Sequence, residues 1–166
     1  MGIIAYEEQR IGVFIDIENL YYSAKKLFGA RVNFRQVLKD VVGPRKLVRA
    51  IAYVIKTETG EERPFFEALS RLGIEIREKE LQVYGGFKKA DWDVGLAVDA
   101  IKVADSLDVI IIFSGDGDFL PLVEYLKNLG KQVEIAAFSK SSSRKLKEAV
   151  DRFFDIGSSA KYFYRK

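Results

Sequence analysis

The run Val109-Ile110-Ile111-Ile112-Phe113 stops abruptly at Ser114-Gly115-Asp116-Gly117-Asp118-Phe119. An unbroken stretch of large apolar residues without polar alternation predicts a strand buried on both faces, as in a parallel sheet. Gly115 and Gly117 let the backbone bend sharply once the strand ends. Asp116 and Asp118 then fall at the carboxyl edge of the sheet, where open α/β folds place their ligands. Ile11-Gly12-Val13-Phe14-Ile15-Asp16 repeats the arrangement near the start. If the two strands are neighbours, Asp16, Asp116 and Asp118 converge in one crevice. Crowded carboxylates repel one another, and such a cluster implies a bound cation.

The rest of the chain alternates strand-like and helix-like patterns, with no internal repeat and no low-complexity linker. Strands are predicted over residues 10–17, 46–56, 74–83, 109–113 and 132–138, with a short sixth over 153–156. Helices are predicted over 19–28, 34–42, 62–72, 90–106, 119–129 and 142–150. Gly73 reads as the C-cap of the third helix. This alternation argues a three-layer α/β/α sandwich with a mostly parallel central sheet. The expected order is 3-2-1-4-5, which sets strands one and four side by side at the switch point. In the long helix, Val94, Ala97, Val98, Ile101 and Ala104 recur at helical spacing and are expected to face the sheet. The whole chain, residues 1–166, reads as one domain, with a core over about 10–156 and an aromatic-basic tail over 157–166.

Composition removes several chemistries. The chain contains neither cysteine nor histidine. Disulfides, thiol nucleophiles, Cys/His zinc sites and imidazole bases are therefore excluded. What remains is carboxylate, Lys, Tyr and Ser chemistry, or a hard metal held by oxygens. A net charge of +3 permits a nucleic-acid partner without requiring one. No stretch approaches the roughly 18 apolar residues of a membrane span, and nothing at the start resembles a signal peptide. A soluble, cytoplasmic protein is expected.

Asp16, Asp116 and Asp118 are joined by Asp93, in Lys88-Lys89-Ala90-Asp91-Trp92-Asp93-Val94 at the start of the long helix. Asp99 lies about 600° further round the helix, at about 100° per residue, and does not share a face with Asp93. Magnesium is held by one or two carboxylates plus waters and substrate phosphate. Two such ions can clamp the attacking and leaving oxygens of a phosphodiester displacement. Each aspartate also has a structural alternative. Asp118 fits a helix N-cap before Phe119-Leu120-Pro121, Asp91 and Asp93 fit a cap and first turn, and Asp16 fits an Asx turn with Asn19 as N-cap. Coincidence at three separate strand–helix junctions favours a site.

Three segments resemble one family in order. Phe14-Ile15-Asp16-Ile17-Glu18-Asn19 resembles the opening motif of the NYN domain family, the LabA-like and DUF88 group of PIN-like nucleases. Lys89-Ala90-Asp91-Trp92-Asp93-Val94-Gly95-Leu96-Ala97-Val98-Asp99 looks like its central helix motif, and Ser114-Gly115-Asp116-Gly117-Asp118-Phe119 matches its SGDxDF signature. The resemblance covers about residues 10–154. It implies a PIN-like, Rossmann-like fold, a site binding Mg²⁺ or Mn²⁺, and ribonuclease activity. By position it assigns Asp16, Asp93, Asp116 and Asp118 to the acidic cluster, Asn19 to its polar partner and Asp99 to the second helix acid. Ser114 and Lys89 belong to the same motifs and are expected beside the substrate.

Further RNA contacts are sought in cations and aromatics. Lys88 and Lys89 lie just ahead of Asp93, and Lys140, Arg144, Lys145 and Lys147 flank a serine-rich loop able to bind anions through backbone amides. Tyr21 and Tyr22 are open to two readings, stacking on bases or half-buried packing. Single-stranded RNA is the expected partner. A homodimer is expected through exposed Phe153, Phe154, Tyr162 and Phe163. The leading function is a metal-dependent ribonuclease. The alternative is a non-catalytic RNA-binding or regulatory module on the same fold. An aspartyl-phosphate phosphohydrolase ranks last, because Glu18 stands where that chemistry wants a second aspartate.

Overall fold

A computed structural model of the chain describes residues 6–84, 87–89 and 91–164, with residues 82–84 and 87–89 described for their backbone alone. β1 (Arg10–Asp16) leads into α1 (Ile17–Phe28) and α2 (Phe34–Val42), then β2 (Lys46–Lys56), α3 (Arg63–Arg71) and β3 (Glu75–Glu80). A short antiparallel hairpin, β4 (Gln82–Tyr84) and β5 (Phe87–Lys89), precedes α4 (Asp93–Val103). β6 (Val109–Phe113), α5 (Leu120–Asn128), β7 (Gln132–Ala137), α6 (Arg144–Ala149) and β8 (Arg152–Asp155) complete the order.

Six strands form one sheet in the order β3-β2-β1-β6-β7-β8, every pairing parallel. The predicted order holds, and the expected sixth strand adds the far edge. The chain walks outward from β1 to β3, then crosses back to β6 and walks outward again to β8. With right-handed crossovers, α1–α3 cover one face and α4–α6 the other. All five residues of β6 are fully buried, as the unbroken apolar run requires.

Three expectations fail, each for a physical reason. Residues 74–83 are not one strand. Leu81 donates its N–H to the carbonyl of Lys56, the pairing with β2 ends there, and the chain turns into the hairpin. The long helix is also shorter than predicted. It starts at Asp93 and tightens into a 3₁₀ turn over Ala104–Ser106.

Its buried face differs too. Leu96, Ala100 and Ala104 are fully buried, Ala97 packs against the core, and Val94, Val98 and Ile101 are 76%, 46% and 42% exposed. The small residues face inward because α4 sits close over β1. Third, the tail aromatics are not an exposed patch. Tyr162 is buried, and Phe153, Phe154 and Phe163 pack against the core, with Phe28 and Phe163 4.9 Å apart between ring centres. Gly85, Gly86, Ala90, Arg165 and Lys166 lie outside the described residues, as do the side chains of Lys88 and Lys89.

Candidate active site

The register of the central strands brings the acidic motifs together. Ile15 of β1 is paired with Phe113 of β6, so Asp16 and Ser114 emerge side by side at the carboxyl edge. The Ser114 hydroxyl donates to Asp16 Oδ2 at 3.0 Å. The other oxygen, Asp16 Oδ1, accepts the Asn19 backbone N–H at 3.3 Å and so caps α1. Asp16, not Asn19, is therefore the N-cap. The Asn19 side-chain carbonyl instead accepts the N–H of Gly115 at 3.1 Å, tying α1 to the turn after β6.

That turn is fixed from several sides. Asp116 Oδ1 accepts the Asp118 N–H at 2.9 Å, and the Asp116 N–H donates to Ser114 Oγ at 3.2 Å. Gly115 has no room for a side chain, because an added Cβ would run into the Ser142 hydroxyl and, at 3.0 Å, its Cα. Asp118 does not cap α5 and stays exposed. The serine-rich loop thus serves as a brace for this turn. Lys147 of the same region donates to the Ser139 carbonyl at 3.1 Å, and Arg144 pairs with Glu148 along α6.

Asp93 arrives from the other face of the sheet. Trp92, just ahead of it, donates its indole N–H to the Val54 carbonyl at 2.9 Å and packs on Tyr53, 5.3 Å between ring centres. Gly95 allows this, since a Cβ there would lie 2.6 Å from the indole. The start of α4 is thereby pinned to β2. Asp93, Asp116 and Asp118 each present a carboxylate oxygen within 4.8 Å of the others. Asp16 and Asp116 also line one open cleft of about 330 Å³ with Asp93, Asp91 and Glu18.

The electrostatics follow. Burial holds the Asp16 carboxyl above its ordinary value, opposed by its bonds to Asn19 and Ser114 and reinforced by Asp116 and Asp91. Burial, then the charges of Asp116, Asp16, Asp91 and Asp118, push Asp93 up to about 6. Glu18 is likewise raised, by burial and by Asp16. Among the described residues no Lys or Arg lies within ion-pair distance of Asp16, Asp93, Asp116 or Asp118.

A match to the NYN domain family model spans residues 10–157. The chain belongs to the NYN domain family. Low amplitude and bright protein LabA of Synechococcus elongatus is 28% identical over 162 residues, covering 92% of this chain and 87% of LabA. A crystal structure of a protein of unknown function from Vibrio parahaemolyticus superposes with a TM-score of 0.88 at 29% identity, covering 98% of this chain and all of that one. Family and fold are therefore as the motifs implied.

Within this NYN site, Asp99 stands apart. It accepts the Tyr53 hydroxyl at 2.7 Å and pairs with Arg77 at 3.2 Å, so it braces α4 against β2 and β3. Lys89 ends β5, and its side chain lies outside the described residues. Tyr21 and Tyr22 are exposed rather than half-buried, and Tyr22 lines the cleft. Sequence reasoning missed Glu18 and Asp91 as cleft residues. Each stands two positions from a predicted site aspartate, and that i, i+2 pairing of acids was the available signal.

Proposed function

We propose that this NYN domain is a ribonuclease dependent on Mg²⁺ or Mn²⁺, with Asp16, Asp93, Asp116 and Asp118 as its metal-binding and catalytic acids. The family's place among PIN-like nucleases supports the nuclease class. The observation that carries the reading is a set of acids gathered from three junctions, crowded enough to raise Asp93, and free of basic partners among the described residues. The donor set fits a hard cation. The four aspartates offer carboxylate oxygens, and the chain has no cysteine or histidine to favour a softer metal.

Asp93, Asp116 and Asp118 would hold the ion, with Asp16 beside them. A bound divalent cation would neutralise the scissile phosphate and favour deprotonation of an attacking water. The chain's own part is positioning. Ser114 and the α1 amide fix both oxygens of Asp16, Asn19 holds the Gly115 amide, and the Ser142–Ser143 brace keeps the Asp116 turn in place. Single-stranded RNA is the proposed substrate.

The test is cleavage of single-stranded RNA in Mg²⁺ or Mn²⁺ by the wild type, Asp16→Asn and Asp116→Asn. Cleavage by the wild type that disappears in both variants supports the mechanism. Binding without turnover in any divalent metal would support the alternative, a non-catalytic RNA-binding module.

A further inference from the structure

The cleft contains two aromatic rings in different states. Trp92 is committed to the fold. Its indole N–H is bonded to Val54, Tyr53 packs on the ring, and the Lys79 ammonium lies 4.4 Å from the ring centre. Gly95 leaves the ring the room that a Cβ would take. Among the described residues Tyr22 makes no side-chain hydrogen bond. It stands on α1 one turn beyond Glu18 and Asn19, lines the same cleft as Asp16, Asp93 and Asp116, and is 63% exposed. Tyr21 lies beside it, 5.7 Å between ring centres with the two planes nearly perpendicular.

An exposed tyrosine beside a phosphate-cleaving centre has no structural task that burial would reward. Aromatic faces beside nucleic-acid backbones take unpaired bases, because every base presents a π-face and no sequence-specific donor pattern is needed. A base inside a duplex is already stacked on its neighbours and cannot reach such a ring without being extruded. We propose that Tyr22 is a base-stacking platform that seats one unpaired nucleobase next to the acidic centre, and so restricts this site to single-stranded RNA. The inference rests on the RNA reading of the site, and Tyr22 acts in it as a positioning residue.

Trp92 provides the readout. It is the chain's one tryptophan and it lines the cleft, so its emission reports occupancy whether or not cleavage occurs. The experiment titrates the full chain with a short oligoadenylate in Ca²⁺, with the RNA checked for integrity by gel. A blunt RNA duplex is titrated in parallel, and anisotropy of labelled RNA follows total binding. The expected result is a saturable change in Trp92 emission with the single strand and a much weaker one with the duplex. Tyr22→Ala should raise the half-saturation point between about fivefold and a hundredfold, the range for losing one base–aromatic stack. Tyr22→Phe should restore it, since the ring and not the hydroxyl carries the contact. Under cleavage conditions Tyr22→Ala should raise KM and leave kcat nearly unchanged, a split that general damage to the fold would not give.

Wild-type binding with an unaffected Tyr22→Ala variant overturns the platform and leaves the nuclease reading standing. Equal affinity for strand and duplex also overturns it. Absence of RNA binding by the wild type overturns both. Strand-selective, Tyr22-dependent binding without turnover in any metal supports the platform and removes the nuclease.

Discussion

The two sides of the same sheet keep their acids in opposite states. On the amino-terminal side two acids, Asp108 and Glu134, are matched within the chain. Asp108 takes both Nε and Nη2 of Arg10, at 3.1 and 3.0 Å, and its carboxyl is held below the ordinary range. Glu134 of β7 is fully buried, yet it receives two nitrogens of Arg45 at 2.7 and 3.1 Å. Arg45 in turn donates to the carbonyls of Val41 and Val42, closing the C-terminal end of α2. At the carboxyl edge Asp16 and Asp93 are pushed the other way, raised by burial and by one another's neighbours. The contrast separates two uses of a carboxylate. Acids that hold the fold are neutralised by the chain itself. Acids crowded together without a basic partner among the described residues raise one another's proton affinity, and their cost is borne by the rest of the fold.

Removing one partner on the amino-terminal side should have the largest effect. Arg45→Met leaves the buried Glu134 carboxylate with only the Gln132 amide at 2.8 Å and Arg152 at 3.7 Å, and is expected to destabilise by about 3 kcal/mol. Natural domains have only about 5–15 kcal/mol in hand, so the variant should sit near its unfolding threshold. The measurement is the urea midpoint. Adding Glu134→Leu should recover most of the loss, because an apolar pair of similar volume replaces the ion pair. A small effect of Arg45→Met would show that the pair is not the structural counterpart claimed.

At the carboxyl edge the same kind of removal should act on function and spare stability. Asp116→Asn keeps the shape of the turn while deleting one charge. Its cleavage rate is expected to fall by at least about a hundredfold, or about 2.7 kcal/mol of barrier. Its urea midpoint in EDTA should stay level or rise. A stability loss comparable to that of Arg45→Met would mean that both edges are structural and the comparison fails.

How much of this was legible in the sequence depended on range. The strand order followed from local signals. Unbroken apolar runs such as Val109–Phe113 fix buried parallel strands, and the chain's switch of direction then leaves few topologies. The acids Asp16, Asp93 and Asp116 were legible because each sits where a strand or helix begins or ends. The helix face of α4 was not, because the helix carries two stripes. Periodicity places Val94, Val98 and Ile101 with Ala97 and Ala104, whereas close approach to β1 keeps the two alanines and adds Leu96 and Ala100 in place of the branched residues. Helical spacing already set Asp99 off the face of Asp93, whereas its partners Tyr53 and Arg77, distant in sequence, had no local signal. The Arg45–Glu134 pair, 89 residues apart, has no local signature at all.

The smallest expected effect is the sharpest check on the comparison. In the folded chain Asp93 releases its proton near pH 6, and its ordinary value is 3.8. The folded state therefore holds that proton more tightly than the unfolded state does. As pH rises from about 4 through about 6, the metal-free protein loses stability through this group, and above that range the penalty is complete. Solvent screens a partly exposed carboxylate, so the stability at stake is about 1 kcal/mol. Asp93→Asn removes the titration. In EDTA at pH 7 the variant should melt about 2–4 °C above the wild type. Below about pH 3 the difference should vanish, because Asp93 is then protonated in both states. Saturating Mg²⁺ should narrow the pH 7 gap from the wild-type side, by binding the folded state and neutralising the cluster. A variant with no advantage at neutral pH would mean that Asp93 is not under repulsion, and the edge would lose the property that sets it apart from the paired acids below.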